Sequence, residues 1–156
     1  MKKILSLIFG LLVFTSLQAF ADGKQDALNF FNNYVNAANS YSNTVGDMYS
    51  PNAKIIRQVV KPDGTTANAY TDTATYIKQM KIAQAGAKVR GYKNFYSNVT
   101  VQDLGSGSYK ISSLRQPVGE TYKLKTYMII KKIDGKWQIT EEMMQTKQQI
   151  FLKYAK

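Results

Sequence analysis

The second half of the chain consists of β-rich segments joined by short turns, and this pattern constrains the fold most strongly. The segments 88–105, 107–119, 120–135 and 136–151 are rich in β-branched and aromatic residues. The breaks between them read LGSGS, QPVGE and IDGK, and each contains glycine. Short glycine-containing turns between β-rich runs indicate consecutive antiparallel hairpins. We therefore predict a meander of four long antiparallel strands.

The first half predicts helices and one further hairpin. Apolar spacing predicts a helix from about Gly23 to Ser40, and SNTVGDMYS predicts a short helical turn stopped by Pro51. The segment 53–71 has the turn KPDG between β-rich runs and is expected to form a hairpin. Residues 72–86 predict a third helix, with Gly86 as its C-terminal cap. We predict an α+β domain whose cone-shaped, curved antiparallel sheet packs on three N-terminal helices and leaves a cavity at one end.

Residues 1–21 have the layout of a cleavable secretory signal peptide. Two lysines precede an apolar run from Ile4 to Phe14, and AFA at 19–21 is a small-x-small cleavage site. The run is short for a membrane span, which needs about 20 residues, although an uncleaved anchor is the alternative. We expect export to the periplasm or secretion, with 22–156 as a single domain.

The chain contains no cysteine and no histidine. An exported domain of this size is therefore expected to be held together by packing and not by disulfides. Thiol catalysis, Ser-His-Asp triads and nearly every transition-metal site are excluded, and we expect neither a metal nor a cofactor. Any chemistry must rest on carboxylates, lysine, arginine, tyrosine or the backbone.

The formal net charge is +11, of which residues 22–156 keep +9. Such a charge favours anionic partners, including a membrane surface, nucleic acid or an acidic protein. The alternative is a merely solvated basic surface, since the lysines are scattered with no run longer than two. Because an exported protein meets little nucleic acid, we expect no nucleic-acid binding and leave membrane-surface contact open.

Three parts of the chain resemble the nuclear-transport-factor-2-like superfamily, which includes ketosteroid isomerases, SnoaL-like polyketide cyclases, scytalone dehydratase and many binding modules. They are ALNFFNNYVNAANS with the strand entry VGDMYSPNAKII, the helix TDTATYIKQMKIA, and the closing hairpin YMIIKKIDGKWQITEEMM. The resemblance covers nearly all of residues 22–156 and implies a cone-shaped, cystatin-like fold. It also implies a homodimer formed through the outer sheet face. It carries no catalytic signature, and function varies freely on this fold.

Glu141 and Glu142 are adjacent in the last predicted strand, so one of them should face inward. If Trp137 and Ile139 face the core, regular alternation places Glu141 with them and Glu142 on the other face. A carboxylate in an apolar pocket has a raised pKa and can act as acid or base, whereas an ion pair with an inward arginine is the structural alternative. If the protein is an enzyme, we expect Glu141 and Tyr109 to carry the reaction.

The other candidate binding residues are arginines and aromatic residues. Arg57 and Arg115 interrupt apolar strand segments and could pair with the inward carboxylate or clamp an anionic head group. Tyrosine occurs eleven times; it suits a cavity wall with polar tips, although it also favours half-buried sheet. The predicted ligand-binding set is Arg57, Arg115, Tyr34, Tyr109, Tyr122, Trp137 and Glu141.

We interpret the chain first as a non-enzymatic binding module, because histidine is absent. Its cone would take a small amphipathic or anionic ligand, or its sheet face would bind a protein partner. The second interpretation is a SnoaL-like isomerase, cyclase or dehydratase, and the third is a periplasmic lipid carrier. An enzyme would need Glu141 in an open, wet pocket without a neutralising arginine, and a carrier would need a long apolar cavity.

Overall fold

Six strands form one curved, unclosed sheet in the computed structural model, which describes residues 22–155. The predicted signal peptide, residues 1–21, lies outside the described residues. The elements in chain order are α1 (22–39), the 3-10 helix η1 (Asn43–Met48), β1 (Tyr49–Val60), β2 (Thr66–Thr71), α2 (Thr73–Val89), β3 (Asn94–Gly105), β4 (Ser108–Pro117), β5 (Leu124–Ile133), β6 (Lys136–Thr146) and the 3-10 helix η2 (Gln149–Tyr154). Within this range, no helix has both the length and the apolar character needed to cross a bilayer.

The strand order is β2-β1-β6-β5-β4-β3, and the predicted meander is confirmed, since β3 to β6 pair with their chain neighbours in antiparallel fashion. The predicted hairpin of β1 and β2 is also antiparallel. β1 and β6 pair in parallel and join this hairpin to the meander, with Ile55 opposite Glu142. The predicted α+β fold class, a curved sheet packed on N-terminal helices, is confirmed.

One face of the sheet and the apolar sides of the helices form the core. In β4, the buried residues alternate regularly, as expected for a strand with one covered face. Phe31 and Tyr34 of α1 and Tyr76 of α2 belong to the same buried cluster as Ile111 of β4 and Met128 of β5. This packing holds the helices against the strands that carry the site described below.

The third helix ends later than predicted. Gly86 lies inside α2, which continues to Val89 and is capped by Arg90. The residue with left-handed backbone is Gly91, whose φ is +60°, and this is the conformation that commonly ends a helix. β3 consequently begins at Asn94, six residues after the predicted start of that segment.

The last segment also differs from the prediction of a strand that reaches residue 151. β6 ends at Thr146, and η2 follows at Gln149–Tyr154. After η2, Ala155 forms an antiparallel bridge with Ala69 of β2. The C-terminal segment therefore returns to the β2 edge of the sheet.

Candidate functional site

A β-bulge in β6 decides which of the two adjacent glutamates is buried. Ile139 and Glu141 pair with consecutive residues of β5, so Thr140 is an extra residue. The extra residue reverses the alternation beyond it, and Ile139 and Glu142 share the buried face. The prediction that Glu141 faces inward is therefore wrong. Glu142 is 1% exposed, whereas the Glu141 side chain is 25% exposed.

One arginine and three tyrosines donate hydrogen bonds to the buried carboxylate of Glu142. Arg57 Nη1 donates to Oε1 at 3.0 Å, and the Tyr76 hydroxyl donates to the same oxygen at 3.3 Å. The Tyr34 hydroxyl donates to Oε2 at 3.3 Å, and the Tyr49 hydroxyl makes a short hydrogen bond to Oε2. We call these five residues the Glu142 cluster. A carboxylate has about four acceptor sites, and these four donors occupy them.

Burial and neighbouring charges shift the pKa values of the three tyrosines and of Arg57. Burial and, next, the charge of Glu142 hold the pKa of Tyr34 and that of Tyr49 well above the ordinary tyrosine value. Burial also raises the pKa of Tyr76, although the charge of Arg57 opposes this shift. For Arg57, burial acts to lower the pKa, but its interactions with Tyr76 and Glu142 outweigh burial and raise it. At neutral pH the three phenols remain hydrogen-bond donors and Arg57 remains a cation.

The tyrosine rings fill the space around Glu142 in which a cone cavity was expected. The Tyr49 ring packs edge-to-face on the rings of Tyr34 and Tyr76, with centroids 6.5 and 5.5 Å apart. Arg57 lies over the Tyr76 ring, 4.6 Å from its centroid. The void left beside Glu142 measures about 10 Å³, close to the smallest volume that holds one water molecule. The buried carboxylate therefore does not face an open ligand cavity.

Glu141 and Tyr109, the predicted catalytic pair, lie on opposite faces of the sheet. Tyr109 is on the buried face of β4 and packs edge-to-face on Trp137, with ring centroids 5.8 Å apart. Glu141 is on the other face of β6, where it accepts a hydrogen bond from the Tyr127 hydroxyl at 2.6 Å and lies 3.9 Å from Lys54 Nζ. The structure therefore does not bring the two predicted reactive groups together.

Arg115 and Tyr122, two more predicted binding residues, are not hydrogen-bonded to Glu142. Arg115 donates to Asn94 Oδ1 at 2.9 Å and to the backbone oxygen of Gln145 at 2.7 Å. Tyr122 precedes β5 and lies beneath the ammonium of Lys147, which is 3.9 Å from the ring centroid. Of the predicted binding set, only Arg57 and Tyr34 reach the buried carboxylate.

A pocket between α1, η1 and α2, which we call the helix-side pocket, was not predicted. It measures about 180 Å³. Its apolar lining is Ala38, Val45, Ile77, Met80, Ala83 and Ala87. Tyr34 also lines it and so connects it to the Glu142 cluster. The sequence signal at this pocket was the helical spacing of Ile77 and Met80, but such spacing predicts a helix and does not by itself predict a pocket.

Polar groups of the helix-side pocket include Lys81 and Tyr41. The Tyr41 hydroxyl is buried and has no hydrogen-bond partner among residues 22–155. Tyr41 also has a φ of +59°, an uncommon backbone conformation for a bulky residue. Unpaired buried hydroxyls and such backbone conformations are both unfavourable, so the sequence is not optimised for stability alone at this position.

Comparisons with known proteins identify the fold. No protein-family model matches the sequence, and no curated protein matches it significantly. An NTF2-like protein of unknown function from Pseudomonas putida KT2440 has a similar structure, with a TM-score of 0.64 and 10% identity over 80% of this chain and 87% of that chain. An NTF2-like protein with a cystatin-like fold from Novosphingobium aromaticivorans gives a TM-score of 0.61 and 9% identity over 85% of this chain and 86% of that chain.

A third solved structure supports the same assignment. It is a domain of unknown function with a cystatin-like fold from Nostoc punctiforme, with a TM-score of 0.57 and 18% identity over 83% of each chain. At sequence identities this low, structural similarity shows a shared fold but not a shared activity. The N-terminal helices and the curved, unclosed six-stranded sheet match these structures, and the chain has the cystatin-like fold of the nuclear-transport-factor-2-like proteins.

Proposed function

We propose that the protein is a non-enzymatic binding module that takes a small amphipathic molecule into the helix-side pocket. The observation that carries this proposal is the pocket itself, whose lining combines apolar side chains with Lys81 and with Tyr41, and the Tyr41 hydroxyl has no hydrogen-bond partner among residues 22–155. Ligand sites are typically mostly apolar with a few polar groups that orient the ligand. A ligand with an apolar body and a polar end suits this lining.

The volume of the pocket limits the size of the ligand. An apolar cavity of about 150 Å³ accommodates benzene, so the helix-side pocket, at about 180 Å³, suits one ring or a short aliphatic chain with a polar substituent. A lipid carrier would need a longer apolar cavity to cover an acyl chain. The pocket volume therefore favours a small ligand over lipid carriage.

The Glu142 cluster also favours binding over catalysis. A general base needs a free acceptor site within hydrogen-bond reach of the proton that it removes. Arg57 and three phenols already donate to Glu142. Glu141 and Tyr109 lie on opposite faces of the sheet, so a SnoaL-like reaction through that pair has no geometric support.

Calorimetric titration with 4-ethylphenol tests the proposal, because this molecule combines one apolar ring with one hydroxyl. Ala83→Trp places a large ring at the pocket wall, whereas Ala85→Trp makes the same change at an exposed position of α2 outside the pocket. We expect the parent and Ala85→Trp to bind equally, and Ala83→Trp to bind at least about tenfold more weakly. Circular dichroism would verify that both variants keep the parent fold.

Two results would overturn the proposal. One is equal binding of 4-ethylphenol by the parent and both tryptophan variants, which would place the ligand elsewhere. The other is an absence of binding by the parent for 4-ethylphenol and for the shorter and longer 4-alkylphenols.

A further inference from the structure

A second concave site, separate from the helix-side pocket, is lined by two arginines. Arg57 of β1 and Arg115 of β4 both line a cleft of about 150 Å³. Tyr92, Met144 and Phe151 add apolar surface to its lining. We call this site the two-arginine cleft. It shares only Tyr92 with the helix-side pocket.

The two guanidinium groups differ in how their charge is compensated. Arg57 is paired with the Glu142 carboxylate at 3.0 Å. Arg115 is only 5% exposed, and among residues 22–155 no carboxylate lies within ion-pair distance of it. The cleft therefore carries one positive charge without a counter-ion.

Among residues 22–155, the groups that accept hydrogen bonds from Arg115 are all neutral. It donates to Asn94 Oδ1 at 2.9 Å, to the Gln145 backbone oxygen at 2.7 Å and, at 3.4 Å, to the Tyr92 hydroxyl. Its Nε is buried and has no partner among the described residues. A buried cation is unfavourable unless an opposite charge and hydrogen bonds compensate it. An anion held in the cleft would supply the missing charge.

We propose that the two-arginine cleft binds the carboxylate group of a small organic acid. A planar guanidinium matches a carboxylate in geometry and charge. The single uncompensated charge corresponds to the one negative charge of a carboxylate, whereas a phosphate monoester carries about −1.5 to −2 at neutral pH. Tyr92 and Phe151 offer apolar surface to the remainder of the acid. This proposal does not rest on the proposed function of the helix-side pocket.

Benzoate, with benzamide as its neutral counterpart, is the probe for a calorimetric test at low ionic strength. The variant Gln148→Glu adds a negative charge at an exposed residue that lines the cleft. The matched control Gln102→Glu makes the same change at an exposed position of β3 outside the cleft. Both substitutions are at exposed positions, and circular dichroism would verify that both variants keep the parent fold.

We expect benzoate to bind at least about tenfold more tightly than benzamide. We also expect Gln148→Glu to weaken benzoate binding about tenfold, and Gln102→Glu to leave it within about twofold of the parent. Equal affinity for benzoate and benzamide, or equal effects of the two glutamate substitutions, would overturn the proposal. Tighter binding of inorganic phosphate than of benzoate would overturn the assignment of a carboxylate ligand.

Discussion

The guanidinium of Arg57 donates to the carboxylate of Glu142 at 3.0 Å, and this ion pair joins two strands whose paired residues are 85 positions apart in the sequence. Their side chains are 13% and 1% exposed, so water screens the pair weakly. The same carboxylate accepts hydrogen bonds from Tyr34 of α1 and Tyr76 of α2. Glu142 therefore connects both helices to the centre of the sheet.

Alkaline pH should destabilise the protein through the buried tyrosines. The folded-state pKa of Tyr49 is raised, first by burial and then by the charge of Glu142. Above the unfolded-state pKa of about 10, the unfolded chain releases this proton while the folded protein retains it. The Tyr49 contribution to stability is therefore complete below pH 10 and is lost as the pH rises toward the folded-state pKa.

Urea unfolding between pH 9 and pH 11 measures this effect. Each retained proton adds a slope of about −1.4 kcal/mol per pH unit to the free energy of unfolding. We expect the free energy of unfolding of the Tyr49→Phe variant to fall less steeply with pH than that of the parent. The two slopes should differ by about 1.4 kcal/mol per pH unit, which is the contribution of one proton. Parallel pH profiles for parent and variant would show that Tyr49 is not protected from ionisation in the folded state.

Single-residue deletions in β6 test the importance of the bulge. Deleting Thr140 removes the extra residue but leaves Ile139 and Glu142 two positions apart, so both stay on the buried face. We expect a cost of about 1 kcal/mol, mainly from the lost hydrogen bond of Thr140 Oγ1 to the Ile129 carbonyl.

Deleting Met143 provides the matched comparison, because it shifts every later residue of β6 by one position. The Gln145 side chain would leave its place, and its hydrogen bonds with the Lys125 backbone N–H and with the Gln58 side chain would be lost. Two hydrogen bonds at about 1 kcal/mol each predict a cost of about 2 kcal/mol. Urea midpoints of the two deletion variants measure the difference, and equal costs would argue against the role of Thr140 as the extra residue.

Two glycines near the C-terminal end of α2, one inside the helix and one beyond it, should respond in opposite directions to substitution by alanine. Gly86 is helical, and a Cβ there would approach only the flexible end of Arg90, at 3.3 Å. Gly86→Ala should therefore stabilise the protein by about 0.5–1 kcal/mol. Gly91 has a φ of +60°, so Gly91→Ala should destabilise it by about 1 kcal/mol or more. Thermal unfolding of both variants checks the signs, and stabilisation by both would contradict the assigned helix end.

The parts of the fold that depend on local signals could be predicted from the sequence. Asp134 and Gly135 both have positive φ angles, 49° and 77°, as the favoured two-residue hairpin turn requires. The Asp-Gly pair therefore predicted the β5–β6 hairpin reliably. The C-terminal end of α2 was predicted less well, because Gly86 and Gly91 carry the same local signal and only the packed helix distinguishes them.

The face of Glu142 could not be predicted, because a bulge has no strong local signal in the stretch around Thr140. One extra residue exchanges the faces of two adjacent glutamates. An inward carboxylate paired with Arg57 was expected and is present, but it belongs to Glu142 and not to Glu141. The helix-side pocket depends on how α1, η1 and α2 pack together. That arrangement is a property of the tertiary structure, and no single segment encodes it.

We propose that Glu142 stabilises the fold and does not react with a substrate. Reactive carboxylates are often kept at a cost to stability, so replacing one tends to stabilise a protein or leave it unchanged. Removing one partner of a buried ion pair instead costs about 3–5 kcal/mol. The adjacent, partly exposed Glu141 is the matched control, since an exposed ion pair contributes only about 0–1 kcal/mol.

Urea unfolding of Glu142→Gln and Glu141→Gln beside the parent at neutral pH is the most direct measurement. We predict a loss of about 3–5 kcal/mol for Glu142→Gln and at most about 1 kcal/mol for Glu141→Gln. A Glu142→Gln variant as stable as the parent, or more stable, would contradict a structural role of Glu142 and would indicate a carboxylate retained for chemistry.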